Sequence, residues 1–440
     1  MKTHIKDSFL LSALTAGLGL MLAGRVTAQT FTRPPWWRWS TAGYNDANSD
    51  GAHPYAGLVL SGNTLYGTAS GGGSSGLGTV FAVNTDGTGF TNLHSFTATS
   101  LPPLYYESDI DKREAGLILS GSTLYGTAER GGSSGYGTVF KLNMDGTGFT
   151  TLYNFTALST PYGGRNSDGA GPNAGLILSG NTLYGTAERG GSSSWGTVVA
   201  INIDGAGFTN LHNFDEGSGG VLPCAGLILS GNTLYGTAAR GGGSGYGTLF
   251  KVNTDGTGFT NLHNFTAIDG YGTNSDGVEP RGDLILSDNT LYGTTLYGGP
   301  LGNGTVFAVK TDGTGFTSLH SFTWSDGGSP YAGLLLSGNI LYGTASRGGS
   351  SGQGTVFAVK TDGTGFRILH NFTADSGSYP YGNGDGTHPR AGLILSGNTL
   401  YGTASDGGSS GNGTVFAVNT DGTRFTILHT FTATPRYPWP

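Results

Sequence analysis

Glycine supplies 83 of the 440 residues and charged side chains only 11%, so the chain is turn-rich and helix-poor, while 11% aromatics leave enough apolar surface to bury a core. A net charge of −7 without acidic or basic blocks removes the electrostatic basis for binding nucleic acid. The single cysteine, Cys224, has no partner for an internal disulfide, so packing alone must hold the fold, and Cys224 reads as a small buried apolar side chain.

The chain opens with Lys2 and Lys6, an apolar run at 9–23 and the small residues Val26-Thr27-Ala28. This is the pattern of a secretory signal peptide over residues 1–28, and the run is shorter than the roughly twenty residues of a membrane span. The mature chain is expected to begin at Gln29, outside the cytoplasm, with no membrane span. Residues 29–55 read as an N-terminal connecting segment whose proline-rich part, 31–40, should stay outside regular pairing. Asp46, Asn48 and Asp50 place oxygen-bearing side chains at alternate positions ahead of Gly51, like the opening of a calcium loop. The fit is partial, because Gly57 stands where such a loop carries its last Glu, and the same string also makes plain Asx turns. Calcium at Asp46, Asn48 and Asp50 is the one metal expectation, and no cofactor is required.

From residue 56 to 433 the chain repeats. Leu-Tyr-Gly-Thr recurs with its Tyr at 66, 125, 184, 235, 292, 342 and 401, which makes seven units of 50 to 59 residues. From the Gly of Ala-Gly-Leu to that Tyr is always nine residues, and from the Tyr to the closing Phe always thirty, with Asp283 in the glycine place of the fifth unit. All length variation falls between units. Each unit reads as four short strands, in the first unit a at 56–60, b at 64–69, c at 79–84 and d at 90–96, separated by Gly, Asn and Asp clusters. Strand c, with Val80, Phe81, Ala82 and Val83, is apolar on both faces, as a strand covered on both sides must be. Strand d is irregular, since Phe90, Leu93 and Phe96 do not fit period two. The expected fold is all-β, a seven-bladed β-propeller of four-stranded antiparallel blades. A parallel β-helix, the main rival, has much shorter coils. Residues 434–440 form a short tail.

The strings Ala-Gly-Leu-Ile-Leu-Ser-Gly-Asn-Thr-Leu-Tyr-Gly-Thr-Ala, Gly-Thr-Val-Phe-Ala-Val-Asn-Thr-Asp-Gly-Thr and Phe-Thr-Asn-Leu-His-Ser-Phe closely resemble the GloVer tandem repeat of bacterial choice-of-anchor surface proteins. The resemblance covers roughly residues 56–433 and implies export, often with a C-terminal anchoring domain, but no catalytic residue. The residues after Phe431 show no such domain, so release and surface attachment both stay open.

Two apparent motifs dissolve in the repetition. Gly131-Gly132-Ser133-Ser134-Gly135 satisfies a nucleophile-elbow pattern, but four such copies sit in glycine loops, whereas a hydrolase needs one. His94, His212, His263, His320, His370 and His429 share one place in six units, with Tyr153 in the other, which marks a structural position. The face carrying the b-to-c loops and d-to-a connectors holds the variation. There Arg130, Arg189, Arg240 and Arg347 follow strand b, Glu129 and Glu188 precede two of them, and Tyr136, Trp195 and Tyr246 stand before strand c. Arginines with aromatic plates suit carboxylates, acidic sugars or peptide segments. The reading is a monomeric, secreted or cell-surface binding module for extracellular carbohydrate or protein; the alternative is a propeller hydrolase or lyase acting on polysaccharide.

Overall fold

The computed structural model describes residues 47–97, 116–160, 163–217, 219–376 and 382–433. The leader, the 31–40 segment, Asp46 and the tail lie outside them. Among the described residues, seven four-stranded antiparallel sheets form, each from one repeat in the order a-b-c-d. The chain is therefore a seven-bladed β-propeller whose blades follow the repeats in register, with no strand lent from one blade to another. Among the same residues, no helix is long and apolar enough to cross a membrane.

In the first blade β1 (Val59–Ser61), β2 (Thr64–Ala69), β3 (Thr79–Asn84) and β4 (Thr91–Ser95) take the four places. The innermost strand is shorter than its sequence pattern suggests: the chain bends at residue 56, and pairing begins only at Val59. Gly67 lets β2 pass under its neighbours: a Cβ there would lie 2.6 Å from Phe81 Cζ and 2.7 Å from Leu58 Cδ2. At the turn into β4, Asp86 Oδ1 accepts the Thr88 N–H at 2.9 Å, an Asx turn that each Asp-Gly-Thr of the repeat can make. A β-bulge accounts for the irregular outer strand. His94 lies opposite Val80 and Asn92 opposite Phe81, leaving Leu93 as the extra residue, and the same register shift occurs in the other six blades.

The core lies between blades and not within any one of them. Tyr66, Val80 and Ala82 of the first blade pack with Leu117, Leu124 and Phe140 of the second, while Leu58, Phe81 and Val83 pack with Val415, Leu428 and Phe431 of the seventh. Both faces of β3 are thus buried, with Val80, Phe81 and Val83 at 0% exposure. Each such Phe contributes about 1.5–3 kcal/mol by burial.

The shared histidine position now has a physical explanation. Its ring stacks on the Phe just ahead of the next blade's outer strand: His94 on Phe149 at 3.8 Å, His212 on Phe259 at 3.6 Å, His370 on Phe425 at 3.5 Å. Tyr153 does the same on Phe208 at 3.9 Å, and His429 closes the circle on Phe90 at 3.6 Å. Behind several of these rings stands an aspartate from the following connector. Asp276 and Asp385 take the Nε2 of His263 and His370 at 2.9 Å, and Asp168 takes the Tyr153 hydroxyl at 2.8 Å.

Residues 47–55, ahead of the first repeat, do for the seventh blade what the connectors do for the others. Asp50 accepts from His429 Nε2 and from the Thr432 N–H, both at 3.0 Å, and from the Thr432 hydroxyl. Pro54 covers Gly413, where a Cβ would come within 2.6 Å of its Cδ. Burial by itself would raise the Asp50 carboxyl, yet the bonds from His429 and Thr432 hold it below the ordinary carboxylate range. Replacing Asp50 with Ala should cost about 3 kcal/mol, because it removes bonds to a buried charged group. Chemical denaturation should show a loss similar to that of Asp385→Ala; an unchanged midpoint would mean that the seventh interface is not closed this way.

Candidate functional site

Strand a is innermost, and each d-to-a connector brings the chain to the axis just before it. A cavity there is lined by residues from all seven blades, which only a position on the axis permits. Its volume is about 100 Å³, room for one small ligand and no more, and it opens to solvent at its mouth. Its floor is the ring of neck residues: a Cβ on Gly57 would lie 3.5 Å from Gly392 O, and one on Gly392 3.6 Å from Gly333 O. In the fifth blade the neck residue is Asp283, whose side chain is exposed to the cavity and accepts the Gly226 N–H at 2.6 Å. Protein packed around it pushes its carboxyl above the ordinary range, against the lowering effect of that bond.

Above the neck stand Tyr55, Asn173, Cys224, Arg281, Tyr331 and Arg390. Arg390 places its guanidinium carbon 5.3 Å from the centre of the Tyr55 ring, a cation–π arrangement. Arg281 forks onto Glu279 Oε2 at 2.9 and 3.1 Å. Asn173 donates to Glu188 Oε2 at 2.8 Å, and Cys224 is buried. The sequence carries a signal for this layer that motif searching passes over. The residue two before the neck lies just outside the rigid span, and its identity changes between units, from Tyr55 to Asn173, Cys224, Arg281, Tyr331 and Arg390.

The arginines singled out from the sequence lie on the same face, farther from the axis. Arg130, Arg189, Arg240 and Arg347 are exposed, each on its own blade. Glu129 and Glu188 are half-buried, as are Tyr136, Trp195 and Tyr246. The aromatics serve the scaffold: Tyr136 and Trp195 pack against inter-blade clusters. Their carbonyls, and that of Tyr246, accept the N–H groups of Gly171, Leu222 and Glu279 from the next connector at 3.0, 3.1 and 3.0 Å. Arg130 Nε lies 3.9 Å from Glu129. The remaining links run radially. Arg240 Nη2 reaches Glu279 Oε1 at 3.5 Å, and Glu279 holds Arg281 at the cavity, while Glu188 holds Asn173.

The same layer holds Asp406 between His53 Nδ1 at 3.1 Å and His388 Nδ1 at 3.4 Å. Burial works to raise its carboxyl, but the bonds from His388, His53 and Ser405 carry it well below the ordinary range. Of the calcium-type string, Asp46 lies outside the described residues. Asn48 Oδ1 accepts from Gly51 and Gly73, and Asp50 is the cap on His429 and Thr432, so a calcium ion there would have to displace these bonds. In the elbow-like loop, the Ser133 N–H is tied to Asn154 Oδ1 and the Ser134 hydroxyl donates to the Phe155 carbonyl.

The Gloeobacter/Verrucomicrobia repeat pattern matches residues 38–165, 156–275 and 271–438. The chain belongs to this repeat family. No curated protein sequence matches it. Among solved structures, the family member is similar to the GH74 xyloglucanase from Xanthomonas campestris, at 12% identity and a TM-score of 0.55, over 86% of this chain and 53% of that one. It is similar to a putative 6-phosphogluconolactonase from Bacteroides uniformis at 18% identity and a TM-score of 0.51, over 84% and 97% of the two chains. It is also similar to a puromycin-hydrolyzing peptidase of Mycobacterium tuberculosis, at 13% identity and a TM-score of 0.52, over 89% and 57%. The chain spans little more than half of the xyloglucanase and of the peptidase, and at these identities the likeness is one of fold.

The buried histidines give the family member a defined acid response. Burial pushes the His212 imidazole down to about 4, with Asp215 opposing, and burial lowers His94 and His320 as well. The unfolded chain, with His near 6.5, takes up protons that the folded one refuses, so this stability is complete above pH 6.5 and is lost as pH falls toward 4. The melting temperature should fall across that window, and His212→Tyr, which copies Tyr153 of the second blade, should flatten the slope. A wild-type melting temperature constant from pH 6.5 to 4 would contradict it.

Proposed function

We propose that the protein is an exported, monomeric binding module that meets extracellular carbohydrate or protein ligands with the face built from b-to-c loops and d-to-a connectors. The leader-like residues 1–28 support export. A ring closed by its own N-terminal connector supports action as a single chain.

The observation that carries the reading is the radial pairing on this face. Arg240, Glu279 and Arg281 join the exposed arginine layer to the axial cavity, and Glu188 joins it to Asn173. Guanidinium groups held by a carboxylate keep N–H donors in fixed directions, which suits forked bonds to carboxylate or sugar oxygens. Arginine is also among the side chains that most often dominate binding energy once a partner covers it.

A glycan and peptide array with the mature protein identifies a ligand. Replacing Arg130, Arg189 and Arg240 together with Ala should then weaken it at least tenfold. The melting transition should barely move, because the Arg130 and Arg240 side chains are about half exposed. Full affinity in the triple variant would overturn the assignment.

A further inference from the structure

The rigid span breaks its own rule once at the axis. Six blades place glycine in the neck, and the fifth places Asp283. Thr186, Thr294 and Thr344 donate to the carbonyl just ahead of the next blade's neck glycine, at 3.1, 2.9 and 3.0 Å. The buried hydroxyl of Thr237, the strand-b threonine of the fourth blade, has no hydrogen-bond partner among the described residues, and neither has that of Thr68, whose next neck residue is the glycine Gly116. The residue ahead of Asp283 is Gly282, where a Cβ would lie 2.5 Å from Ala332 O. An unpaired buried hydroxyl destabilises a fold. Six glycine necks complete the same ring without a side chain, so the repeat's packing does not call for the carboxylate of Asp283.

Two neighbours add to the case. Asn173 is more than nine-tenths buried, spends its N–H on Glu188, and leaves Oδ1 without a hydrogen-bond partner among the described residues. Arg390 lies over Tyr55 and forms no ion pair with a described residue. An occupant must donate hydrogen bonds to Asn173 Oδ1 and Asp283, offer an anionic acceptor to Arg390, and present a ring face to Tyr331. Sugar hydroxyls, a carboxylate and a pyranose face meet these demands together. All seven blades surround the cavity, so an internal sugar would have to thread the axis, whereas a chain end enters from the loop face.

We infer that the axial cavity holds a hexuronic acid residue at the end of an extracellular acidic polysaccharide. This rests on the loop-face reading and narrows it to one ligand class. Calorimetric titration of the full chain with glucuronate, galacturonate and their short oligomers tests it, with glucose, galactose and acetate as controls. A uronate should bind at least about tenfold more tightly than the neutral hexoses or acetate, because the charged contact is added to the hydroxyl contacts. Arg390→Ala should weaken it at least tenfold and Asn173→Ala about fivefold. Asp283→Gly, which restores the neck glycine, should weaken it about tenfold while the melting temperature stays level or rises.

No uronate binding, equal binding of glucose, full competition by acetate, or undiminished uronate affinity in Asp283→Gly overturns the inference. An array ligand lost by the triple arginine variant but kept by Arg390→Ala and Asp283→Gly also overturns it, and leaves the loop-face reading standing. Uronate binding that depends on Arg390 and Asp283 but not on the three outer arginines supports the cavity and overturns the outer assignment.

Discussion

Each blade in this propeller leans on the next through a recurring contact, an imidazole or phenol ring laid flat on the phenylalanine that leads into the following outer strand. The contact recurs around the whole circle, from His94 on Phe149 to His429 on Phe90. Stacked aromatic pairs of this kind add about 0.5–1.5 kcal/mol beyond their buried area. The stacked phenylalanine also packs against the inter-blade cluster that buries strand c, as Phe90 does with Phe81 and Val83. A four-stranded sheet alone could not bury its apolar faces, so cohesion depends on every blade having two neighbours.

Closure follows from the same constraint. An open array would leave the first and last blades with an uncovered face and an unpaired edge. Here the residues ahead of the first repeat meet the last blade with the connector chemistry used elsewhere. Asp50 stands for Asp276 or Asp385, and Pro54 covers Gly413. Closure also makes the axis a distinct environment, because residues spaced 50 to 59 apart in the chain converge there on one cavity.

The loop face tolerates difference where the inter-blade surface does not. The outer aromatics Tyr136 and Trp195 turned inward to the scaffold, while the arginines beside them stayed exposed. Polar pairs such as Arg240 with Glu279, and Asn173 with Glu188, carry charge from the rim toward the axis. Asp283 is the sharpest departure from the repeat, a carboxylate where the other blades need only a glycine. A deviation that the repeat's packing does not call for points to a demand outside packing.

Much of this architecture was written in the chain. The constant spacings gave seven units, the doubly apolar Val-Phe-Ala-Val run gave a strand buried on both faces, and the Asp-Gly clusters gave the turns, because these are local consequences of side-chain shape and backbone freedom. The irregular outer strand was legible only as an anomaly, since a bulge at Leu93 depends on what its partner strand offers. The string at Asn48 and Asp50 looked like an ion loop; its bonding partners are Gly51, Gly73, His429 and Thr432, two of them some 380 residues away. The ring of Tyr55, Asn173, Arg281, Tyr331 and Arg390 shows in the chain only as a variable residue two before each neck, with nothing local to say that these side chains meet. Sequence alone determined the blades and their order, because each blade's rules act within about forty residues. Only the closed tertiary structure decided which side chains share the axis, because that neighbourhood exists once the last blade has met the first.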